Sequence, residues 1–229
     1  MTGPGQARPA GSGRAPSYRA VVFDMDGVLT DSEPAFFEAI SLVLAEDGAS
    51  IAYERYRRFL GTSTRHTWTG LMELLDLKGR YEDYVARYED VLIDCLARPR
   101  PPLAGAVDLI DALDARDVPY ALATSSRRSW ADAVLGSAGL AGRLPLRVTA
   151  DDVTNAKPAP DTYRLAAERL GVPPAACIAV EDSPSGLASA KGAGMYAVQS
   201  RGASTAFPPI DGADLVITSL ADFPLALLP

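Results

Sequence analysis

The chain has 229 residues, of which 48% are hydrophobic, and 22 lysines and arginines against 29 aspartates and glutamates give it a net charge of −7. That length suits one large domain, or one domain carrying a smaller one, with enough apolar residues for a buried core. An acidic chain is repelled by nucleic acid and by anionic membranes, so function classes that bind either non-specifically are set aside. No stretch reaches the roughly 20 apolar residues of a membrane helix.

Residues 1–16 are rich in Gly, Pro, Ala and Arg. They hold no continuous apolar stretch of the kind a secretory signal needs, and too little to bury to offset the entropy of ordering. A disordered tail with no catalytic role is expected. The two cysteines, Cys95 and Cys177, have neither metal nor redox spacing and read as reduced thiols of a cytoplasmic protein.

Folding signals begin at Tyr18. Arg19–Phe23 is a short apolar run ending in Asp24, the pattern of a strand buried on both faces. The form recurs at Pro119–Ala123, ending in Thr124, and at Cys177–Val180, ending in Glu181. Weaker strands are Leu146–Thr149, Met195–Val198 and Leu215–Ile217. Helical patterns lie between them. Gly105–Arg116 places Val107, Ile110 and Leu113 on one face, and Thr162–Leu170 follows Asp161 as N-cap and stops at Gly171. Alternating strands and helices predict a parallel sheet covered on both faces.

Residues 32–103 break the alternation and read as helices only. Pro34 fits the first turn of a helix capped by Asp31 or Ser32, with Phe36, Phe37, Ile40, Val43 and Leu44 as its apolar stripe. Further helices are predicted over Tyr53–Leu60, Thr64–Leu75 and Tyr81–Leu96. Arg98–Leu103 is the return linker and Thr30–Ser32 the outgoing one. The division is therefore a core over 17–31 and 104–229, with a helical insert over 32–103.

Polar residues follow the apolar strands. Ligands of open α/β sheets bind at the carboxyl ends of strands, so Asp24, Asp26, Thr124, Glu181 and Asp182 are expected to converge, with Lys157 arriving from a loop. Four carboxylates in one crevice need a cation, since each like-charged pair at about 4 Å costs roughly 4 kcal/mol at an effective dielectric near 20. Oxygen-only ligands favour Mg²⁺ over zinc, and Mg²⁺ favours phosphate chemistry. Thr124-Ser125-Ser126 opens the helical pattern Arg127–Leu135 and offers a hydroxyl and backbone N–H groups to an anion. Gly-rich loops of the ATP- or dinucleotide-binding kind are absent. Ser183-Pro184 reads as a helix start with Ser183 as its cap.

The four segments Asp24-Met-Asp26-Gly27-Val-Leu-Thr30, Thr124-Ser125-Ser126, Lys157-Pro158-Ala-Pro160-Asp161 and Glu181-Asp182-Ser183-Pro184-Ser-Gly186 occur in this order. They resemble the four signatures of the haloacid dehalogenase superfamily, and the insert position resembles the helical cap of its beta-phosphoglucomutase-like branch. The resemblance implies an α/β fold, a Rossmann-like parallel sheet core with an inserted all-helical cap domain. It implies a phosphatase acting on a small phosphate monoester, a sugar phosphate or related metabolite. Asp24 would be the nucleophile that forms an aspartyl-phosphate, and Asp26 the acid and then the base. Asp24, the Asp26 carbonyl and Asp182 would hold Mg²⁺, with Glu181 ligating directly or through water. Thr124 and the Ser125 N–H would bind the phosphoryl group, and Lys157 would bridge it to the nucleophile.

A dehalogenase of the family lacks the second aspartate, so Asp26 speaks against that activity. A beta-phosphoglucomutase-like sugar mutase is the alternative. In those mutases a histidine of the first cap helix helps couple closure to base activation, and the matching position here is Phe36. In the cap loop Thr64, Arg65 and His66 are candidate substrate contacts, as is Arg127 of the core. His66, the single histidine, is not needed as a base. Trp68, Trp130, Phe36 and Phe37 read as packing residues.

Overall fold

The structure, a computed structural model, describes residues 18–203 and 207–229. The tail over 1–16 lies outside them. The core is one sheet of six parallel strands, β1 (Ala20–Phe23), β2 (Tyr120–Ala123), β3 (Arg147–Val148), β4 (Cys177–Glu181), β5 (Tyr196–Ser200) and β6 (Leu215–Ile217), in the order β3-β2-β1-β4-β5-β6. All six runs expected as strands pair. β1 to β3 spread to one side and β4 to β6 to the other, so the strand order reverses between β1 and β4. A crevice opens outside the carboxyl ends of the strands at such a reversal.

Side chains alternate across the sheet as strand geometry requires. Val21, Phe23, Leu122, Ile178 and Val180 join one buried cluster, which continues into α1 (Glu33–Glu46), α4 (Tyr81–Ala97), α5 (Ala106–Asp114) and α6 (Arg128–Ser137). Ala20, Val22, Ala121, Ala123 and Ala179 face the other way, against Tyr163, Ala166, Leu187 and Ala190 of α7 (Asp161–Leu170) and α8 (Pro184–Ala193). Alanines on this second face let those two helices lie close to the sheet.

Between β1 and β2 the insert is helical, with α1, α2 (Tyr53–Tyr56), α3 (Thr64–Leu75) and α4. Its outgoing and returning linkers run side by side: Thr30 bridges to Pro102, and the Leu103 N–H donates to the Leu29 carbonyl at 2.8 Å. Ser32 occupies the cap position of α1 but caps nothing, because its hydroxyl donates to Asp26. The helix expected over Tyr53–Leu60 is broken. It tightens to a 3₁₀ turn at Arg57–Phe59, where the Thr62 hydroxyl donates to the Phe59 carbonyl at 2.8 Å and Gly61, at φ 68°, turns the chain. Asp161 is the first residue of α7 rather than its cap, and its carboxylate accepts from the Asn155 amide at 2.8 Å. Among the described residues no helix is long and apolar enough to cross a membrane.

Candidate active site

Asp24 leaves β1 and Glu181 ends β4, the neighbouring strands of the reversal. Lys157 links them. Its ammonium donates to Asp24 Oδ1 at 2.6 Å, to Glu181 Oε1 at 2.5 Å and to the Ala123 carbonyl at 2.9 Å. Its side chain is only 4% exposed. The Lys157–Pro158 peptide bond is cis. Tyr163, in the first turn of α7, donates its buried hydroxyl to Glu181 Oε1 at 2.9 Å, and its ring centroid lies 4.9 Å from the Lys157 nitrogen. Glu181 Oε2 accepts the Asp182 N–H at 3.1 Å, the Ser183 N–H at 3.3 Å and the Ser183 hydroxyl at 3.1 Å. Five protein donors therefore surround the Glu181 carboxylate. Ser183 also caps α8 by accepting from the Gly186 N–H. A side chain at Gly186 would start 1.8 Å from Glu181 Oε1, so only glycine fits beneath that carboxylate.

Asp26 follows Asp24 after one residue and is held at both oxygens, by the Ser32 hydroxyl and by the Ser126 hydroxyl at 3.1 Å. Gly27, at φ 80°, turns the chain away at once, and a Cβ there would meet Asp182 Oδ2 at 2.1 Å. Thr124 follows β2 directly, and its Oγ1 accepts the Ser126 N–H at 3.0 Å. The helix that follows starts at Arg128, one residue later than the sequence pattern places it, and the Arg128 N–H is taken by Asp151 at 2.8 Å. With those two N–H groups engaged, the Ser125 N–H has no protein acceptor among the described residues. It is an open donor of this turn.

Burial first, then the charges of Glu181 and Asp26, push the Asp24 carboxyl up to about 8 against the pull of Lys157. Burial also raises Asp182, with Glu181 and Asp24 adding to the shift. Asp26 is raised by burial, while its bonds from Ser32 and Ser126 oppose the shift. Lys157 is desolvated too, but the attraction of Asp24 and Glu181 outweighs that and holds it above the ordinary lysine value. Carboxylates crowded in this way call for a cation. Asp24, Glu181 and Asp182 each bring an oxygen within 4.8 Å of the others. Glu181 is engaged by protein donors, whereas the Asp182 carboxylate accepts no protein hydrogen bond among the described residues. An all-oxygen set with two under-bonded carboxylates fits Mg²⁺.

Above these groups a cavity of about 480 Å³ runs from Asp24, Asp26, Thr124, Ser125, Lys157 and Asp182 into the helical insert. Thr64 and Arg65 of the cap loop line it. Arg127 does too, but it pairs with Glu89 at 2.9 Å and lies 5.5 Å from the Trp130 ring centroid. His66 does not line it. As the third residue of α3 it is exposed, and its N–H donates to the capping Ser63 hydroxyl at 3.2 Å. Phe36, Trp68 and Trp130 are packing residues that also form cavity wall, while Phe37 packs on Tyr53 and Tyr56. The wall holds one pair that the sequence does not disclose: Glu33, in the first turn of α1, accepts from the Tyr56 hydroxyl at 2.5 Å.

Fold and site together define an α/β protein with a carboxylate–lysine centre at the strand reversal, roofed by a helical cap. A profile of the haloacid dehalogenase-like hydrolases matches residues 18–194. The chain belongs to that family. It is 34% identical over 176 residues to a phosphorylated carbohydrates phosphatase of Thermotoga maritima, covering 77% of this chain and 82% of the relative. It is 33% identical over 188 residues to a fructose-1-phosphate phosphatase of Escherichia coli, covering 80% and 97%. The crystal structure of CbbY from Rhodobacter sphaeroides in complex with phosphate superposes with a TM-score of 0.80 at 28% identity, over 92% of this chain and 99% of that one.

Proposed function

We propose that this protein is a Mg²⁺-dependent phosphatase of a small phosphate monoester, of the sugar-phosphate kind, working through an aspartyl-phosphate on Asp24. The observation that supports it most is the Asp24–Lys157–Glu181 chain set beside Asp26 at the foot of a cavity large enough for a metabolite. The phosphatase names of the relatives point the same way. Residues 17–31 and 104–229 act as the phosphoryl-transfer core and 32–103 as the cap. The free thiols of Cys95 and Cys177 agree with a cytoplasmic setting.

In this reading Asp24 attacks phosphorus as the ester P–O bond breaks. Asp26 gives its proton to the departing alcohol oxygen. It then takes a proton from the water that attacks the aspartyl-phosphate, which returns Asp24 as carboxylate and releases inorganic phosphate. Lys157, the Ser125 N–H and the Thr124 hydroxyl hold the phosphoryl oxygens. Asp24, Asp182 and the Asp26 carbonyl would hold Mg²⁺, which when bound neutralises charge on the transferring group. Glu181 fixes Lys157 and the start of α8.

A sugar mutase shares this core. Phe36 speaks against it: the ring lines the cavity, meets Trp130 edge-on at 6.3 Å between centroids, and has no hydrogen-bonding atom with which to act on Asp26. Incubation with beta-glucose 1-phosphate, Mg²⁺ and a trace of the sugar bisphosphate separates the two. The expected products are glucose and inorganic phosphate. Efficient glucose 6-phosphate formation with little free phosphate would make the protein a mutase.

A further inference from the structure

Glu33 is a carboxyl group with an unfinished set of partners. A carboxylate has room for about four hydrogen bonds, and among the described residues one protein donor, the Tyr56 hydroxyl, serves it. No arginine or lysine pairs with it there. The two arginines of the cavity wall are engaged elsewhere, Arg127 with Glu89 and Arg65 over the Tyr81 ring, 4.8 Å from its centroid. The cavity that Glu33 lines also has apolar residues in its wall, among them Phe36, Ile40 and Phe59. An acceptor in such a wall is costly unless a donor completes it. Burial raises its carboxyl to about 7, with the Tyr56 hydrogen bond opposing and the charges of Asp26 and Asp31 adding.

The cavity that Glu33 lines is the one whose floor holds Asp24 and Asp26. A phosphoryl group bound at that floor directs its ester oxygen, and the alcohol beyond it, into this cavity. We infer that the Glu33–Tyr56 pair reads a hydroxyl of the leaving alcohol, so that the enzyme takes phosphate esters of neutral polyols and turns away esters whose alcohol carries a carboxylate or a second phosphate. The inference rests on the hydrolase reading above and narrows it to a substrate class. A polyol hydroxyl donates to the carboxylate and can accept from a neighbouring hydroxyl. Above about 7 Glu33 is ionised, so an anionic tail supplies no donor and meets a like charge in a poorly solvated wall, where repulsion is strong.

The test is a comparison of kcat/KM, with Mg²⁺ present, for sorbitol 6-phosphate, fructose 1-phosphate, phosphoglycolate and p-nitrophenyl phosphate. For the unaltered protein the two polyol esters should exceed phosphoglycolate by about tenfold or more, the worth of one substrate hydrogen bond gained or lost in a buried site. Glu33→Gln and Tyr56→Phe should each lower kcat/KM for the polyol esters by about ten times more than for p-nitrophenyl phosphate, chiefly through KM. Phosphoglycolate turned over as well as the polyol esters would overturn the inference, as would equal proportional losses across the panel. Turnover of p-nitrophenyl phosphate with no preference among the others removes the inference and leaves the hydrolase standing. Absence of turnover for every ester removes the hydrolase reading and the inference with it. The comparison on the unaltered protein decides the matter even if a variant fails to fold.

Discussion

Asp24→Asn should lower phosphate release by at least about a thousandfold while leaving the fold in place, because an amide cannot form the acyl phosphate on which both half-reactions depend. The surroundings say why the fold survives. Asn is the same shape, its oxygen still accepts from Lys157, and Lys157 keeps Glu181 and the Ala123 carbonyl. In the metal-free protein the change should even stabilise at alkaline pH. Asp24 in the folded state is raised to about 8, so between its ordinary value and about 8 the folded chain holds a proton that the unfolded chain has released. Stability contributed by this group therefore falls as pH climbs through that window. Removing the carboxylate removes the fall. Melting temperatures of the two proteins in chelator, measured from pH 5 to 9, should diverge in favour of Asp24→Asn on the alkaline side. A variant that keeps its activity, after checks for deamidation, would refute the nucleophile assignment.

Asp26→Asn is expected to give the second largest loss, and one that depends on the leaving group. For alkyl esters a positioned acid–base group contributes about 10²–10⁴-fold, and that range should be lost. For p-nitrophenyl phosphate, whose leaving oxygen needs little protonation, the loss should be at least about tenfold smaller. The Asp26 carboxyl is raised by burial, so it keeps its proton further toward neutral pH than an ordinary aspartate. The kcat/KM of an alkyl ester should fall on the alkaline side as that proton is lost, and the limb should be missing from Asp26→Asn. Equal losses on aryl and alkyl esters would contradict the role.

The sequence discloses the residues of the core site because each stands directly after a strand or in a short segment tied to one. Asp24, Thr124 and Glu181 inherit their place from β1, β2 and β4, and the apolar runs that make those strands are plain to read. Lys157 is legible only through its motif, since its loop is positioned by tertiary contacts. Tyr163 is hidden for a related reason: its place in the periodicity of α7 explains it as core, and nothing local announces a hydroxyl aimed at Glu181. Glu33 and Tyr56 belong to different helices, and a pair made by packing leaves no spacing signal. His66 attracts notice as the single histidine, yet its place in the first turn of α3 directs it to an exposed position. The break after Tyr56 escapes periodicity because the apolar pattern of Tyr53–Leu60 suits a 3₁₀ turn as well as an α-helix. Ser32 looks like an ordinary cap, and its hydroxyl goes instead to Asp26.

The most direct test of the account is inorganic phosphate release from a panel of metabolite phosphates, with Mg²⁺ and with a chelator. The account predicts equal amounts of phosphate and alcohol from at least one sugar phosphate, lost in chelator and restored by Mg²⁺, because the Asp24 and Asp182 carboxylates are otherwise held above their ordinary range by burial and by neighbouring carboxylates, Glu181 foremost. Phosphate release unaffected by chelator, or none from any ester in the presence of Mg²⁺, would contradict it.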